Sequence, residues 1–188
     1  MHDSIRQRLR EATAAQHERV DAAFSGFDLE SLEGYRAFLQ AHLRVVRPLE
    51  TGLEEAGITE LIDDWPNRQR RHALLADLAD LGGLGQLPDT SLNVQPSAGW
   101  CLGACYVLEG SRLGGRLLAR RVANANPTAP LRYLAHTDTS PSWPRFLEQL
   151  EQQARLQPWQ DVLAGASACF ALFIRHAAPS PATSTAAC

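Results

Sequence analysis

Hydrophobic residues recur every three or four positions along most of this chain, which is the spacing that gives an α-helix one apolar face. No run of alternating apolar and polar residues is convincing as a strand, and no Asn-Gly hairpin turn is present. The pattern predicts an all-α fold, a single helical bundle of about seven helices. The predicted helices cover about residues 4–24, 31–56, 66–81, 97–125 and 127–135, then a helix from 140 that includes Leu150, and 159–176.

Proline and glycine mark where the second predicted helix bends and ends. Pro48 lies inside it and lacks the N–H that a helix interior uses, so we expect a kink or a split at this position. Gly57 directly follows the helix and is the residue type that most often ends one. After the third predicted helix, glycines at 82, 83 and 85 open a loop that reaches Gln95.

The fourth predicted helix contains an unusual segment at residues 110–115, with the sequence GSRLGG. Three glycines within one and a half turns of helix would cost about 3 kcal/mol relative to alanine. One interpretation is that a bound molecule needs close access to the backbone there. The other interpretation is that two consecutive helices meet at a loop in this segment.

Length and composition favour one domain. The chain has 188 residues, of which 45% are hydrophobic, and this is enough to bury a core without disulfides. We expect a helical domain over residues 1–178 and a disordered tail over 179–188, where small and polar residues predominate. The four cysteines form no C-x-x-C zinc pattern, so we interpret them as small core residues in a reducing cytosol.

Charge and hydropathy argue against several kinds of partner. The formal net charge is −3, which is unlike a nucleic-acid-binding surface, and the brief basic cluster Arg68, Arg70 and Arg71 is interpreted as a solvated helix face. The longest apolar stretch, residues 162–174, is too short to span a bilayer, and the first twenty residues lack the apolar core of a secretion signal. These observations predict a cytoplasmic protein with no nucleic-acid partner and no membrane partner.

Several common catalytic motifs are missing from the sequence. It contains no phosphate-binding G-x-x-x-x-G-K-[ST], no G-x-S-x-G nucleophile elbow, no G-x-G-x-x-G dinucleotide fingerprint and no H-E-x-x-H zinc motif. No Glu-x-x-His pair of the kind that binds two irons in helical bundles occurs. One histidine near the amino terminus and the glycine-rich segment remain as the candidate chemistry.

That histidine, His17, lies at the edge of the apolar stripe of the first predicted helix, so the pattern predicts that it is half-buried. A single histidine on an apolar face is most often a core residue whose hydrogen bonds are satisfied. Asp21, four residues later, can accept a hydrogen bond from one ring nitrogen and leave the other for a metal. Arg10, on the same side of the helix, would complement an anionic ligand.

Three segments resemble a known family. Residues 9–21 (LREATAAQHERVD) look like the proximal helix of the haem oxygenases, and residues 106–115 (YVLEGSRLGG) look like their distal helix. Residues 35–50 (YRAFLQAHLRVVRPLE) resemble the bacterial, biliverdin-producing branch, whose members serve iron acquisition or supply bacterial phytochromes. The two motifs occur in the family's order within a helical chain of suitable length, which makes the resemblance fairly specific.

The resemblance assigns roles on the proximal side of a haem. His17 matches the ligand of the haem iron, and Asp21 matches an acidic residue bonded to that ligand. Thr13 matches a residue packed on the proximal face. Arg10 and Tyr106 match positions that contact the haem propionates. An iron porphyrin requires a neutral imidazole on one face, which agrees with these assignments.

The resemblance also assigns the distal side. Gly110, Gly114 and Gly115 match the glycines of the distal helix, where a backbone without side chains can approach the bound oxygen. Ser111 matches a position in the hydrogen-bonded water network that supplies protons. Arg112 stands where related bacterial sequences often have a smaller residue. Its guanidinium has three possible roles, which are binding a propionate, closing the pocket, or pairing with Glu109.

The function implied by the resemblance is the oxidative opening of haem to biliverdin, Fe²⁺ and CO. Haem would be both substrate and cofactor, O₂ the oxidant, and a reductase or ferredoxin the electron donor. A bacterial phytochrome is a further implied partner, as acceptor of biliverdin. Two alternatives remain: a non-catalytic haem-binding or sensory relative, motivated by Arg112 and an altered region at 131–141, and a helical interaction domain in which the glycines serve packing.

Overall fold

The computed structural model describes residues 4–85, 92, 95–135 and 142–177, and within these ranges it contains α-helices and no strand. This confirms the predicted all-α class. The predicted tail, 179–188, and the start of the predicted sixth helix, 140–141, lie outside the described residues. The described helices are α1 (Ile5–Ala12), α2 (Ala14–Phe24), α3 (Leu32–Glu55), α4 (Arg71–Asp80), α5 (Ala98–Gly110), α6 (Gly115–Ala125), α7 (Trp143–Ala154) and α8 (Trp159–His176), with 3₁₀ turns at Ile58–Glu60 and Trp65–Asn67.

The first predicted helix is divided into α1 and α2 at Thr13. The hydroxyl of Thr13 donates to the carbonyl of Leu9 at 2.7 Å, and its backbone adopts φ −113° and ψ 8°. A threonine side chain that bonds the preceding turn competes with the helical backbone pattern and bends the helix. The apolar periodicity continues across this break, which is why the sequence pattern predicts one helix.

Helix α3 follows the prediction closely and is 24 residues long. Pro48 lies inside it without splitting it, because the residues on both sides, including Val45, Leu49 and Leu53, are fully buried in the same core. The helix is followed by Gly57 in the left-handed conformation at φ 79°, as predicted for a glycine that ends a helix.

The predicted short helix at 127–135 is wrong, because this segment forms turns. The carboxylate of Asp77, on α4, accepts the backbone N–H of Arg132 at 3.2 Å and that of Tyr133 at 2.9 Å. Prolines at 127 and 130 remove two further helical donors. Helix α4 itself begins at Arg71, five residues later than predicted, after the 3₁₀ turn at Trp65–Asn67.

The predicted helix over 97–125 is two helices, α5 and α6, joined by turns at residues 111–114. In this junction Leu113 N–H donates to the carbonyl of Gly110 at 3.1 Å, and Gly115 N–H donates to that of Arg112 at 3.0 Å. These bonds span three residues rather than four, which is a tighter winding than that of an α-helix. The interpretation that two helices meet here is therefore the correct one for the backbone.

Helix α5 lies directly against α8, and glycine makes this close contact possible. A Cβ on Gly103 would overlap the carbonyl oxygen of Val162, and one on Gly165 would overlap the carbonyl oxygen of Trp100. The same interface buries Cys101, Cys105 and Cys169, as the interpretation of the cysteines as core residues predicts. No helix among the described residues is both long and apolar enough to cross a membrane.

A buried histidine, His42, occupies the core between α3 and α8. Its ring centroid lies 4.1 Å from that of Phe38, 4.6 Å from that of Phe24 and 5.6 Å from that of Phe173. Its Nδ1 is 3.0 Å from the carbonyl oxygen of Phe38. Burial lowers the pKa of His42 to about 3, so the ring is neutral in the folded protein over the physiological range.

We expect Gly165→Ala to destabilise the protein by about 1–3 kcal/mol, because the added methyl group would force α5 and α8 apart. Urea unfolding measured by circular dichroism tests this. Gly26→Ala is the matched control, since a Cβ there would meet only the carbonyl oxygen of Ala23 at 3.8 Å. Equal stability of the two variants would contradict the tight contact.

We expect His42 to make the fold sensitive to acid. Its pKa is lowered on folding from 6.5, so the unfolded chain binds the extra proton between pH 6.5 and about 3 and stability falls as pH decreases through that window. The expected loss is about 1.4 kcal/mol per pH unit. His42→Gln should flatten this slope in urea unfolding, whereas the exposed His72→Gln should not. Parallel slopes in the two variants would exclude this role of His42.

Candidate functional site

His17 lies on the outside of α2, where its side chain is 66% exposed. The prediction that it is half-buried is therefore wrong. Its Nδ1 is 3.1 Å from Oδ2 of Asp21, which is itself 68% exposed, and the edge of its ring faces Phe170 with centroids 6.1 Å apart. The carboxylate and Phe170 together orient the imidazole so that Nε2 is the nitrogen available to a ligand.

Helix α2 has no fully buried residue, unlike α1, which buries Ile5 and Leu9. It is attached to the bundle through α8, where Gln16 Nε2 donates to Ser167 Oγ at 3.2 Å. Thr13, between α1 and α2, is buried, but its hydroxyl donates to the carbonyl of Leu9 in the preceding turn. Val20 and Phe24 of α2 are partly buried against the core, and most of the other residues of this helix are exposed.

The glycine-rich junction presents a second open surface. A Cβ on Gly114 would meet nothing within 4 Å, and one on Gly110 would meet only the ring of Trp143 at 3.9 Å. Leu113 and Leu117 lie three residues beyond these glycines and are 62% and 72% exposed. Large exposed leucines next to bare backbone form an apolar surface that a flat hydrophobic molecule can cover. Gly115, by contrast, is buried as the first residue of α6.

Tyr106 and two arginines mark the polar end of this region. Tyr106 is half-buried, and burial raises the pKa of its hydroxyl, while the positive charges of Arg6 and Arg10 act in the opposite direction. Its ring centroid is 6.2 Å from that of Trp143. The structure therefore brings Arg10 and Tyr106 into one electrostatic environment. Arg6 belongs to the same group, although the sequence prediction did not include it. Its position four residues before Arg10, on the same helix face, could have indicated it.

The two surfaces share the same supporting helices. Helix α1 is held to α7 by the N–H of Ile5, which donates to Glu151 Oε2 at 2.7 Å. Helix α2 rests on α8, and α5 packs on both α7 and α8. Trp143, at the start of α7, contacts Tyr106 and borders Gly110. Helices α7 and α8 thus support both the surface that carries His17 and the glycine-rich junction at residues 110–114.

Ser111 is held firmly from below the junction. Its hydroxyl donates to the carbonyl of Leu108 at 2.7 Å and accepts from Nη2 of Arg70 at 2.8 Å. Arg70 Nη2 also donates to the Leu108 carbonyl at 2.7 Å. Sequence analysis missed Arg70 as part of the site.

The interpretation of Arg68, Arg70 and Arg71 as a solvated face is wrong. Arg68 is 1% exposed and Arg70 is 6% exposed, while Arg71 is partly buried. Their partners come from distant segments, including Glu50 of α3, which accepts the backbone N–H of Arg70 at 2.7 Å. Local pattern does not reveal such burial, because Asp64 is a nearby partner of Arg68 whereas Glu109 and Glu50 lie 41 and 20 residues away from their partners in the chain.

Of the three roles considered for Arg112, the structure shows the ion pair. Arg112 Nε is 3.0 Å from Oε1 of Glu109, and Nη2 donates to the carbonyl of Arg68. Both Arg112 and Glu109 are buried. The guanidinium of Arg112 is therefore bound to Glu109 and Arg68 on the buried side of the junction.

The fold matches that of a solved haem oxygenase from Neisseria meningitidis, determined with NO and CO bound. The TM-score is 0.79 with 23% sequence identity, and the match covers 94% of this chain and 91% of that one. The architecture is thus that of the haem oxygenase class of helical proteins.

Sequence similarity then identifies the family. The chain is 36% identical over 146 residues to a haem oxygenase of Xanthomonas campestris pv. campestris, covering 74% of this chain and 86% of the relative. It is 28% identical over 123 residues to the haem oxygenase PigA of Pseudomonas aeruginosa, covering 62% of this chain and 60% of PigA. Comparison with profiles of protein families gave no match. The chain belongs to the haem oxygenase family, and these relatives are bacterial.

We expect Gly114→Leu to leave stability within about 0.5 kcal/mol of the parent, because the added side chain points into open space. It should weaken hemin binding or turnover by about tenfold or more, since the same space would be needed by the porphyrin. Thermal unfolding and hemin titration measure the two effects. An equally stable Gly114→Leu variant that binds and converts hemin normally would contradict the assignment of this surface.

Proposed function

We propose that this protein is an enzyme that binds haem between α2 and the junction of α5 with α6 and degrades it to biliverdin, Fe²⁺ and CO. The observation that carries the proposal is the 36% identity to a haem oxygenase over 146 residues, which cover 74% of this chain and 86% of the relative. The exposed His17 and the bare backbone at Gly114 support it independently, because they offer an iron ligand and space for a flat ring.

His17 binds the haem iron through Nε2 in this proposal. The Asp21 carboxylate, 3.1 Å from Nδ1, holds a proton at that nitrogen and so keeps the imidazole in the tautomer that a metal requires. Phe170 limits rotation of the ring through its edge contact. Thr13 packs near the proximal face and sets the bend that brings α2 to the ring.

Gly110 and Gly114 form the distal wall. Because these glycines lack side chains, their backbone could approach a bound ring closely and would restrict the space open to O₂ beside it. Leu113 and Leu117 cover the apolar macrocycle and exclude water, and Gly115 starts α6 beneath them. When bound, haem supplies the redox-active iron and is also the ring that is opened.

Charged and polar groups orient the substrate at its edge. Arg6 and Arg10 neutralise the propionates, and the Tyr106 hydroxyl donates a hydrogen bond to one of them. This hydroxyl is protonated at neutral pH, as a phenol ordinarily is, and burial raises the pKa of Tyr106 further. These groups would hold the propionates at the end of the site where Tyr106 lies beside Trp143.

Ser111 provides a polar group on a surface that is otherwise apolar. Its hydroxyl hydrogen is directed to the Leu108 carbonyl and one of its lone pairs accepts from Arg70. The second lone pair can hold a water molecule near the distal face, from which a proton is delivered. Arg70 keeps the hydroxyl in this orientation.

The pairing of Arg112 with Glu109 removes one argument for a non-catalytic relative, since the guanidinium does not block the surface next to Gly110. The reaction also requires O₂ and electrons, and an external reductase or ferredoxin supplies the electrons because the side chains of this protein cannot. A bacterial phytochrome is the acceptor we propose for the biliverdin formed.

The first test adds hemin to the purified protein and then ascorbate under air. We expect a Soret band on binding, followed by its loss and the appearance of the long-wavelength absorption of biliverdin. A haem spectrum that persists after reduction under air would mean that the protein binds haem without degrading it.

We expect His17→Ala to abolish the iron–imidazole spectrum and to stop turnover, because no other ligand is assigned to the iron. His72→Ala, which changes an exposed histidine on α4, is the matched control and should leave both unchanged. Should His17→Ala bind hemin as tightly as the parent with the same spectrum, His17 would not be the iron ligand, and the result would favour the alternative of a helical interaction domain.

A further inference from the structure

Glu109 is a buried carboxylate directly before the glycine-rich junction, and both of its oxygens are bound. Oε2 accepts from Nη1 of Arg68 at 2.7 Å, and Oε1 accepts from Nε of Arg112 at 3.0 Å. The side chain of Glu109 is 2% exposed. A carboxylate removed from water in this way fixes the direction of the helix end that carries it.

Arg68 is in turn held on several sides. Its Nε and Nη2 contact the two oxygens of Asp64 at 2.6 and 2.7 Å, and Nη2 also donates to the carbonyl of Ser142 at 3.3 Å. Its guanidinium carbon lies 5.3 Å from the ring centroid of Phe146 on α7. Arg68 therefore ties the end of α5 to the 3₁₀ turn at Trp65–Asn67 and to α7.

Arg112 closes the arrangement from within the junction. It pairs with Glu109 through Nε and donates through Nη2 to the carbonyl of Arg68. Two arginines and the two carboxylates of Glu109 and Asp64 thus form a network of balanced charge beneath residues 110–114. We call Asp64, Arg68, Glu109 and Arg112 the junction network.

The junction needs such support because its glycines cannot supply any packing. A Cβ on Gly114 would meet nothing within 4 Å, and Leu113 is largely exposed. A backbone rich in glycine also loses more conformational freedom on ordering than other sequences do. Its position over the site must therefore be determined by residues that lie below it.

We propose that Glu109 is a positioning residue, which with Arg68 and Arg112 sets the height of the Gly110–Gly114 backbone over the haem and so determines where on the ring O₂ reacts. This inference rests on the proposed function. Glu109 lies beneath the junction and acts through the backbone, without touching the substrate. A displacement of the distal backbone by about 1 Å would change the geometry of attack and slow it by up to a hundredfold.

The test compares Glu109→Gln with Asp77→Asn. Both remove the charge of a buried carboxylate paired with an arginine, but Asp77 binds Arg132 and the backbone of Tyr133, which do not belong to the junction network. Amide hydrogen exchange of residues 110–115 is measured without haem. Hemin affinity, single-turnover rate and the ratio of biliverdin isomers are then measured with ascorbate as the electron donor.

We expect Glu109→Gln to speed amide exchange at 110–115 by about tenfold and to bind hemin within about twofold of the parent. Its turnover should fall by about tenfold and its biliverdin isomer ratio should shift. Asp77→Asn should lower the melting temperature while leaving exchange at 110–115 and the isomer ratio as in the parent. Arg112→Gln, which removes one arm of the network, should shift the same readouts in the same direction and is the test if Glu109→Gln does not fold.

An unchanged rate and isomer ratio in Glu109→Gln would overturn the inference, as would an equal shift in Asp77→Asn. A parent protein that does not degrade haem would refute the proposed function instead. In that case the exchange of residues 110–115 still decides whether the junction network positions this backbone.

Discussion

The close approach of α5 to α8 is the contact on which both halves of the site depend. At Gly103 and Gly165 the backbones of the two helices touch, leaving no room for a methyl group. Helix α5 carries Tyr106 and leads into the glycine-rich junction, while α8 carries Phe170, against which His17 rests. A change in the spacing of these helices would therefore alter the distance between the two surfaces that we propose for haem.

Glycine serves two opposite purposes in this protein. Gly103 and Gly165 are small because another helix occupies the space, whereas Gly110 and Gly114 are small where the surrounding space is open. The first pair lies in a tight helix contact, and we propose that buried charges below the second pair determine its position. The surface that we propose for haem is thus bare on one side of the backbone, and its ionic supports lie on the other side.

The chain has a small net charge, but several of its charged side chains are buried close to one another. Arg68, Glu109 and Glu50 are almost completely removed from water, and each is compensated by a partner or a backbone donor from another element. The groups assigned to haem have the opposite character, since His17 and Asp21 are exposed. Buried charge holds the scaffold, and exposed charge and imidazole remain available to a ligand.

The sequence by itself determined the helical class, the bounds of α3 and α8, and the pairing of His17 with Asp21, because helical periodicity and spacings of four residues are local properties. The tertiary structure alone decided that Arg68 and Arg70 are buried, that His17 is exposed, and that residues 127–135 form turns. The burial of Arg68 and the turns at 127–135 depend on partners distant in the chain, Glu109 and Asp77, and the exposure of His17 depends on which face α2 turns to α8. Local periodicity carries no information about such partners, because the free energy of a buried charge or a turn depends on which groups the completed fold brings beside it.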